Sequence, residues 1–188
     1  MTKPESKRGP RLRAAIALIA SLSSAPARTE APNPMPEQVR AAYVLNFTRY
    51  TTWPASAISE GSAPLVVCAL GPGASDVARQ LQSRAAGNHP LELRALQHPD
   101  QVSGCHALYL GPTERAQQSS LLARLRNQAI LTIGESPSFL ADGGMINLVL
   151  VDGNLHFEVN LAATAGAGMQ LNPRMLALAD KVIGGGAK

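Results

Sequence analysis

The chain has 188 residues, 45% of them apolar, and carries 17 Lys and Arg against 13 Asp and Glu, a formal charge of +4. Five of those basic residues and a single acid, Glu5, fall in the first 27 positions, so the rest is close to neutral. No Lys/Arg stripe with interleaved aromatics follows, which excludes a nucleic-acid surface, and about 160 residues remain to form one domain whose core holds without a metal or multiple cross-links.

Lys3, Lys7, Arg8, Arg11 and Arg13 precede the apolar stretch Ala14 to Leu22, and Ala25-Pro26-Ala27 supplies small residues at an A-x-A spacing. Residues 1–27 therefore read as a secretory signal, far short of the ~20 apolar residues a membrane span needs. Residues 28–36 hold three prolines with Thr, Glu and Asn and read as a flexible tether. From Glu37, Val39, Tyr43, Phe47 and Tyr50 recur at helical spacing and predict an amphipathic helix that ends before Trp53-Pro54. Residues 55–64, rich in Ser, Ala and Gly, read as a loop.

Strand and helix then alternate. LVVCAL, the turn Gly71-Pro72-Gly73, a helix from Ala74 to about Arg84, the break at Gly87-Asn88 and LELRAL are followed by HALYLG, a helix from about Glu114 to Asn127, and AILTIG. Continuous apolar strands with helical crossovers predict an α/β fold, a mostly parallel sheet with helices on both faces. MINLVLV and LHFEVNL around Asp152-Gly153-Asn154 predict a β-hairpin near the C-terminus. Asn160 is placed to cap a short helix, and Asn172-Pro173 to open a last one with an apolar face of Met175, Leu176, Leu178 and Ala179.

Little of this carries chemistry. Gly71-x-Gly73 lacks the third glycine of a dinucleotide fingerprint, and Asp76 in its place would repel a phosphate, so the segment reads as a tight strand-to-helix turn. His89, His98, His106 and His156 show no metal-ligand spacing. His106 adjoins Cys105, but neighbours in a strand point to opposite faces and do not form a nucleophile pair. Ser136, before a proline at what reads as a helix start, is in no G-x-S-x-G elbow. No nucleophile–base–orienter set assembles, so neither enzymatic activity nor a cofactor is expected. Cys68 in the first strand and Cys105 at the entry to the third meet if those strands are neighbours, and an oxidising compartment then favours a disulfide. It would close a loop of roughly 38 residues, worth on the order of 4 kcal/mol. Two buried free thiols are the alternative.

Together AAYVLNFTRYTTWP at 41–54, VCALG at 67–71, GCHALYLG at 104–111, ILTIGE at 130–135, GGMINLVLVDGNLHFEVNLAA at 143–163 and the MLALA ending resemble the YfiR family of periplasmic proteins. The resemblance implies a single α/β domain over 37–183. It implies a periplasmic repressor of a membrane diguanylate cyclase, bound through the cyclase's periplasmic sensor region, with control of cyclic-di-GMP and biofilm formation. It further implies release when an OmpA-like, peptidoglycan-associated outer-membrane lipoprotein sequesters the repressor, and inactivation when disulfides are reduced. Cys68 and Cys105 fall on the family's shared pair. The second pair that members can carry around the hairpin is missing between Leu140 and Phe157.

An export-compartment regulator is the leading reading, and a solute-binding module using the strand C-termini is the alternative. A homodimer remains open. The partner surface is expected at Phe47, Tyr50 and Trp53 on the helix end and at Leu161, Met169 and Leu171 after the hairpin, because aromatic, Met and Leu side chains anchor interfaces. By periodicity Tyr43 and Phe47 serve equally well as core, which leaves Trp53 as the best surface residue of the set.

Overall fold

A computed structural model describes residues 36–58 and 63–185; the expected signal segment, nearly all of the tether and part of the loop before the first long strand lie outside them. In chain order the elements are α1 (Pro36–Arg49), β1 (Thr51–Thr52), β2 (Leu65–Leu70), α2 (Ala74–Gln80), β3 (Ala85–Ala86), β4 (His89–Leu96), a 3₁₀ turn (Pro99–Val102) and β5 (Ala107–Leu110). They continue with α3 (Arg115–Leu125), β6 (Leu131–Gly134), β7 (Ile146–Val151), β8 (Asn154–Asn160), α4 (Leu161–Gly166), β9 (Gln170–Leu171), α5 (Pro173–Leu176) and β10 (Lys181–Ile183).

Eight strands form one sheet in the order β10-β8-β7-β6-β5-β2-β4-β3. All its neighbours run parallel except the β7–β8 hairpin and the β3–β4 pair. The α/β expectation is met, with apolar residues on both faces as a doubly covered parallel sheet requires. One face packs Val67, Ala69, Tyr109, Ile133 and Phe157 beneath α1 and α2. The other packs Cys68, Leu108 and Leu110 beneath Leu121, Leu122 and Leu125 of α3 and the turn residues Phe139 and Leu140.

Helix α1 starts with Pro36, has Glu37 in its first turn and Arg49 in its last, charges that complement the helix dipole. Its buried face is Ala41, Val44, Leu45, Phe47 and Thr48, with Tyr43 half-buried and stacked edge-on against Phe157. Tyr50 falls off the expected stripe because the helix stops at Arg49, and the residue is 45% exposed. The chain then forms β1, which pairs antiparallel with β9, Thr51 opposite Leu171 and Thr52 opposite Gln170.

Three local expectations are corrected. Helix α2 ends at Gln80 rather than near Arg84, and the chain reverses through Gly87 at φ +62° so that β3 folds back on β4. Ser136-Pro137 opens a run of turns, not a helix, with Phe139 N–H donating to Ser136 O and Asp142 N–H to Ser138 O. The last helix is only α5, which buries Met175 but leaves Leu178, two residues past its end, 74% exposed before β10 begins. The hairpin is as expected: Asp152 (φ +47°) and Gly153 (φ +79°) both take the left-handed conformation of a two-residue type I′ turn. Asn160 Oδ1 accepts from Ala163 N–H and caps α4.

Candidate functional site

Strands β2 and β5 lie side by side, Val67 opposite Ala107 and Cys68 opposite Leu108. That register brings Cys105, just before β5, to a Cα–Cα distance of 5.8 Å from Cys68, and the two form a disulfide. Both cysteines are buried, with Cys68 wholly inaccessible. Beside the bridge, His106 locks three segments together. Its backbone N–H donates to Val66 O (2.8 Å) and its Nδ1 accepts from Val66 N–H (2.9 Å). The proton therefore sits on Nε2, which donates to Ala57 O at 3.1 Å. The His106 carbonyl accepts the indole N–H of Trp53 at 3.1 Å.

This arrangement changes the meaning of the expected partner residues. Phe47, Met169 and Leu171 are buried in the core with the α1 face of the sheet. Trp53 and Leu161 are half-buried against that same core, and only Tyr50 is open to solvent. The structure thus does not gather the six into one surface. Leu161 opens α4 directly after β8, whereas Met169 and Leu171 turn inward around the two-residue β9.

Among the described residues, the large apolar side chains that do face solvent, besides Tyr50, are Leu150 (72% exposed), Val151, Leu178 and Val182. Leu150 and Val151 sit on the hairpin, and Leu178 and Val182 lie in or just before β10, so the four bracket β8 on either side. β6 pairs with β7 only at Ile146 and Asn147. Residues 148–151 consequently run past the end of β6 with β8 alone as their strand neighbour among the described residues. The sequence predicts the hairpin but not this surface, because MINLVLV is apolar throughout and only the short pairing with β6 leaves its second half exposed. Tyr43 Oη donates to Leu155 O at 2.6 Å and ties the arm to α1.

A polar network stands where α1 crosses the C-terminal ends of the strands. Arg40 Nε donates to Glu135 Oε1 at 2.7 Å, and the buried Tyr109 hydroxyl donates to the same oxygen. Burial, reinforced by that bond to a carboxylate, pushes the Tyr109 phenol well above its ordinary range, and the Glu135 partner holds the Arg40 proton more firmly still. Ninety-five residues separate Arg40 from Glu135, and no local pattern announces the pair. A cleft of about 200 Å³ opens beside it, between Glu37, Arg40 and Val77 on one side and Pro72 and Pro112 on the other.

The histidines are held by backbone or surface partners: His89 Nδ1 lies 2.8 Å from Ala63 O, and His156 contacts Asp180 on the surface. Among the described residues no three His, Cys, Asp or Glu side chains cluster as a metal site, and no helix is long and apolar enough to cross a membrane. Residues 37–180 match the sequence profile of a family described as YfiR/HmsC-like, which spans the whole of the sheet up to the start of β10.

Proposed function

Since this chain belongs to the YfiR/HmsC-like family, we propose that it works in the periplasm as a regulatory binding protein that represses a membrane-bound diguanylate cyclase through the cyclase's periplasmic sensor region. Lower cyclic-di-GMP and weaker biofilm formation follow from that repression. An OmpA-like outer-membrane lipoprotein competing for the same repressor would lift it. The observation that carries the reading is the hairpin arm, which leaves Leu150 and Val151 in water beyond β6, with Leu178 and Val182 on the far side of β8. Apolar side chains grouped on a protruding arm mark a protein contact, and the free edge of residues 148–151 adds backbone donors and acceptors for an incoming strand. Tyr50, with the half-buried Trp53 and Leu161, extends the candidate surface from the sequence side.

The test pairs a pull-down with a cellular readout. The protein should co-purify with the periplasmic region of a diguanylate cyclase, and its deletion should raise cyclic-di-GMP. Leu150→Asp combined with Leu178→Asp should abolish both effects while circular dichroism stays unchanged. A deletion that leaves cyclic-di-GMP at its wild-type level, together with no captured cyclase, would refute the proposal.

A further inference from the structure

The chain order of the sheet reverses between β2 and β5: from β2 the chain crosses to β4 on one side, then returns to β5 on the other. In open α/β sheets the crevice outside the strand C-termini at such a reversal is the usual ligand position. Here the exits of β2 and β5 are drawn tightly together. Gly71 adopts φ +97°, and a Cβ on Gly111 would overlap the Pro72 carbonyl, so both positions depend on glycine. The resulting septum divides the crevice in two. The smaller half is the Arg40–Glu135 cleft already described. The larger, on the α3 face, encloses about 450 Å³, within the roughly 300–1,000 Å³ range of small-molecule sites.

The two halves differ in charge. Among the described residues, none of the side chains lining the larger cavity is ionisable, although 16% of the chain is charged. Its polar side chains are the amides of Gln97, Gln117 and Gln118 and the hydroxyls of Ser75 and Thr113, over a floor that includes Leu70 and Leu110; the Gln118 amide is already taken up by Ser136, Ser138 and Asp142, which leaves the other four for a ligand. Thr113 Oγ1 donates to Gln117 Oε1 at 3.2 Å, which directs the Gln117 Nε2 group away from that bond. Gln97 is fixed at the end of β4 by its own N–H, which donates to Gln101 Oε1 at 2.8 Å. Amides and hydroxyls both donate and accept, as the hydroxyls of a polyol do, and the leucine floor suits its C–H face. An ionised ligand would lose hydration with no counter-charge to replace it.

We propose that this cavity binds a neutral, hydroxyl-rich small molecule of sugar size. The site is separate from the apolar hairpin surface and does not depend on a cyclase partner. Saturation-transfer NMR and thermal shift on the purified protein would use matched pairs: glucose against gluconate, and N-acetylglucosamine against glucosamine. With glucuronate, which keeps the pyranose ring, run beside gluconate, at least one neutral member should bind while its charged counterpart does not. Gln97→Ala and Gln117→Ala should each weaken binding about tenfold, one hydrogen bond's worth. Ser75→Trp, which fills the cavity from an exposed position, should abolish it with the circular dichroism spectrum unchanged. Arg40→Ala, across the septum, should leave it intact. No transfer from any neutral sugar at millimolar concentration, equal binding of the charged analogues, or binding that survives Ser75→Trp would overturn the proposal.

Discussion

The indole N–H of Trp53 donates to the carbonyl of His106, 3.1 Å away and 53 residues along the chain, so the exit of α1 is pinned to the residue that follows a disulfide cysteine. Trp53 is thus a strut between two segments as well as a half-exposed aromatic. Trp53→Phe, which keeps the ring but loses the donor, should destabilise by about 1 kcal/mol. Trp53→Ala should cost about 2–3 kcal/mol, below the full core value because the ring is only half-buried. Urea midpoints check both. Partner capture at a temperature where each variant is folded then separates a contact role from a structural one: Trp53→Ala should retain capture if the strut is all that matters, and lose it if the ring touches the partner.

Loss of the Cys68–Cys105 bridge should cost about 4 kcal/mol on the loop-entropy estimate, for Cys68→Ser and Cys105→Ser alike. Because both sulfurs are buried, reduction should follow opening of the sheet rather than direct attack. The rate of thiol release in dithiothreitol, followed by alkylation and mass spectrometry, should rise steeply with sub-denaturing urea. A rate independent of urea would show that the bridge is reachable in the folded state.

Acid sensitivity should centre on Asp142. The Ser138 hydroxyl, then Gln118 and Arg115, hold its carboxyl below the ordinary range against an opposing effect of burial. A depressed carboxyl contributes stability at pH values above its unfolded value, near 4, and that stability is lost as pH falls through the folded value. Urea midpoints measured from pH 7 down to about pH 3 should therefore drop less for Asp142→Asn than for the wild type, the two curves converging at the acid end.

Asn147 is 2% exposed, and its Oδ1 has no hydrogen-bond partner among the described residues. A stranded buried acceptor is a cost, so Asn147→Leu, similar in size, should raise stability by about 1 kcal/mol. Asn147 is also the last residue that β7 pairs with β6, at the root of the protruding arm. If the arm needs that polar group, the variant will melt higher and repress less, and a melting curve beside a cyclic-di-GMP assay resolves the two effects.

The long elements were readable because their signals are local. LVVCAL, HALYLG and LTIG are too apolar to be anything but buried, and Asp152-Gly153 carries its own turn geometry. The disulfide is legible as soon as β2 and β5 are neighbours. β1, β3 and β9 were not, since two residues have no period and pair only through tertiary contacts. The partner surface was the least legible. Phe47 and Tyr50 sit one helical step apart, yet one is core and the other surface, because the helix end falls between them. Leu150 continues the apolar run of Ile146 and Leu148, and what exposes it is the shortness of β6, which ends at Gly134, well upstream in the chain.

The covalent bridge ties β2 to the entry of β5 at the middle of the sheet, and the loop it closes holds α2, β3, β4 and the 3₁₀ turn. In a chain threaded N-terminus first into an oxidising space, the link can therefore close while the hairpin and every later element are still on their way. What arrives afterwards, from β6 onward, adds to an edge whose neighbour is already fastened. On that order of arrival, a chain whose two cysteines stay reduced would build the second half of its sheet on an untethered first half.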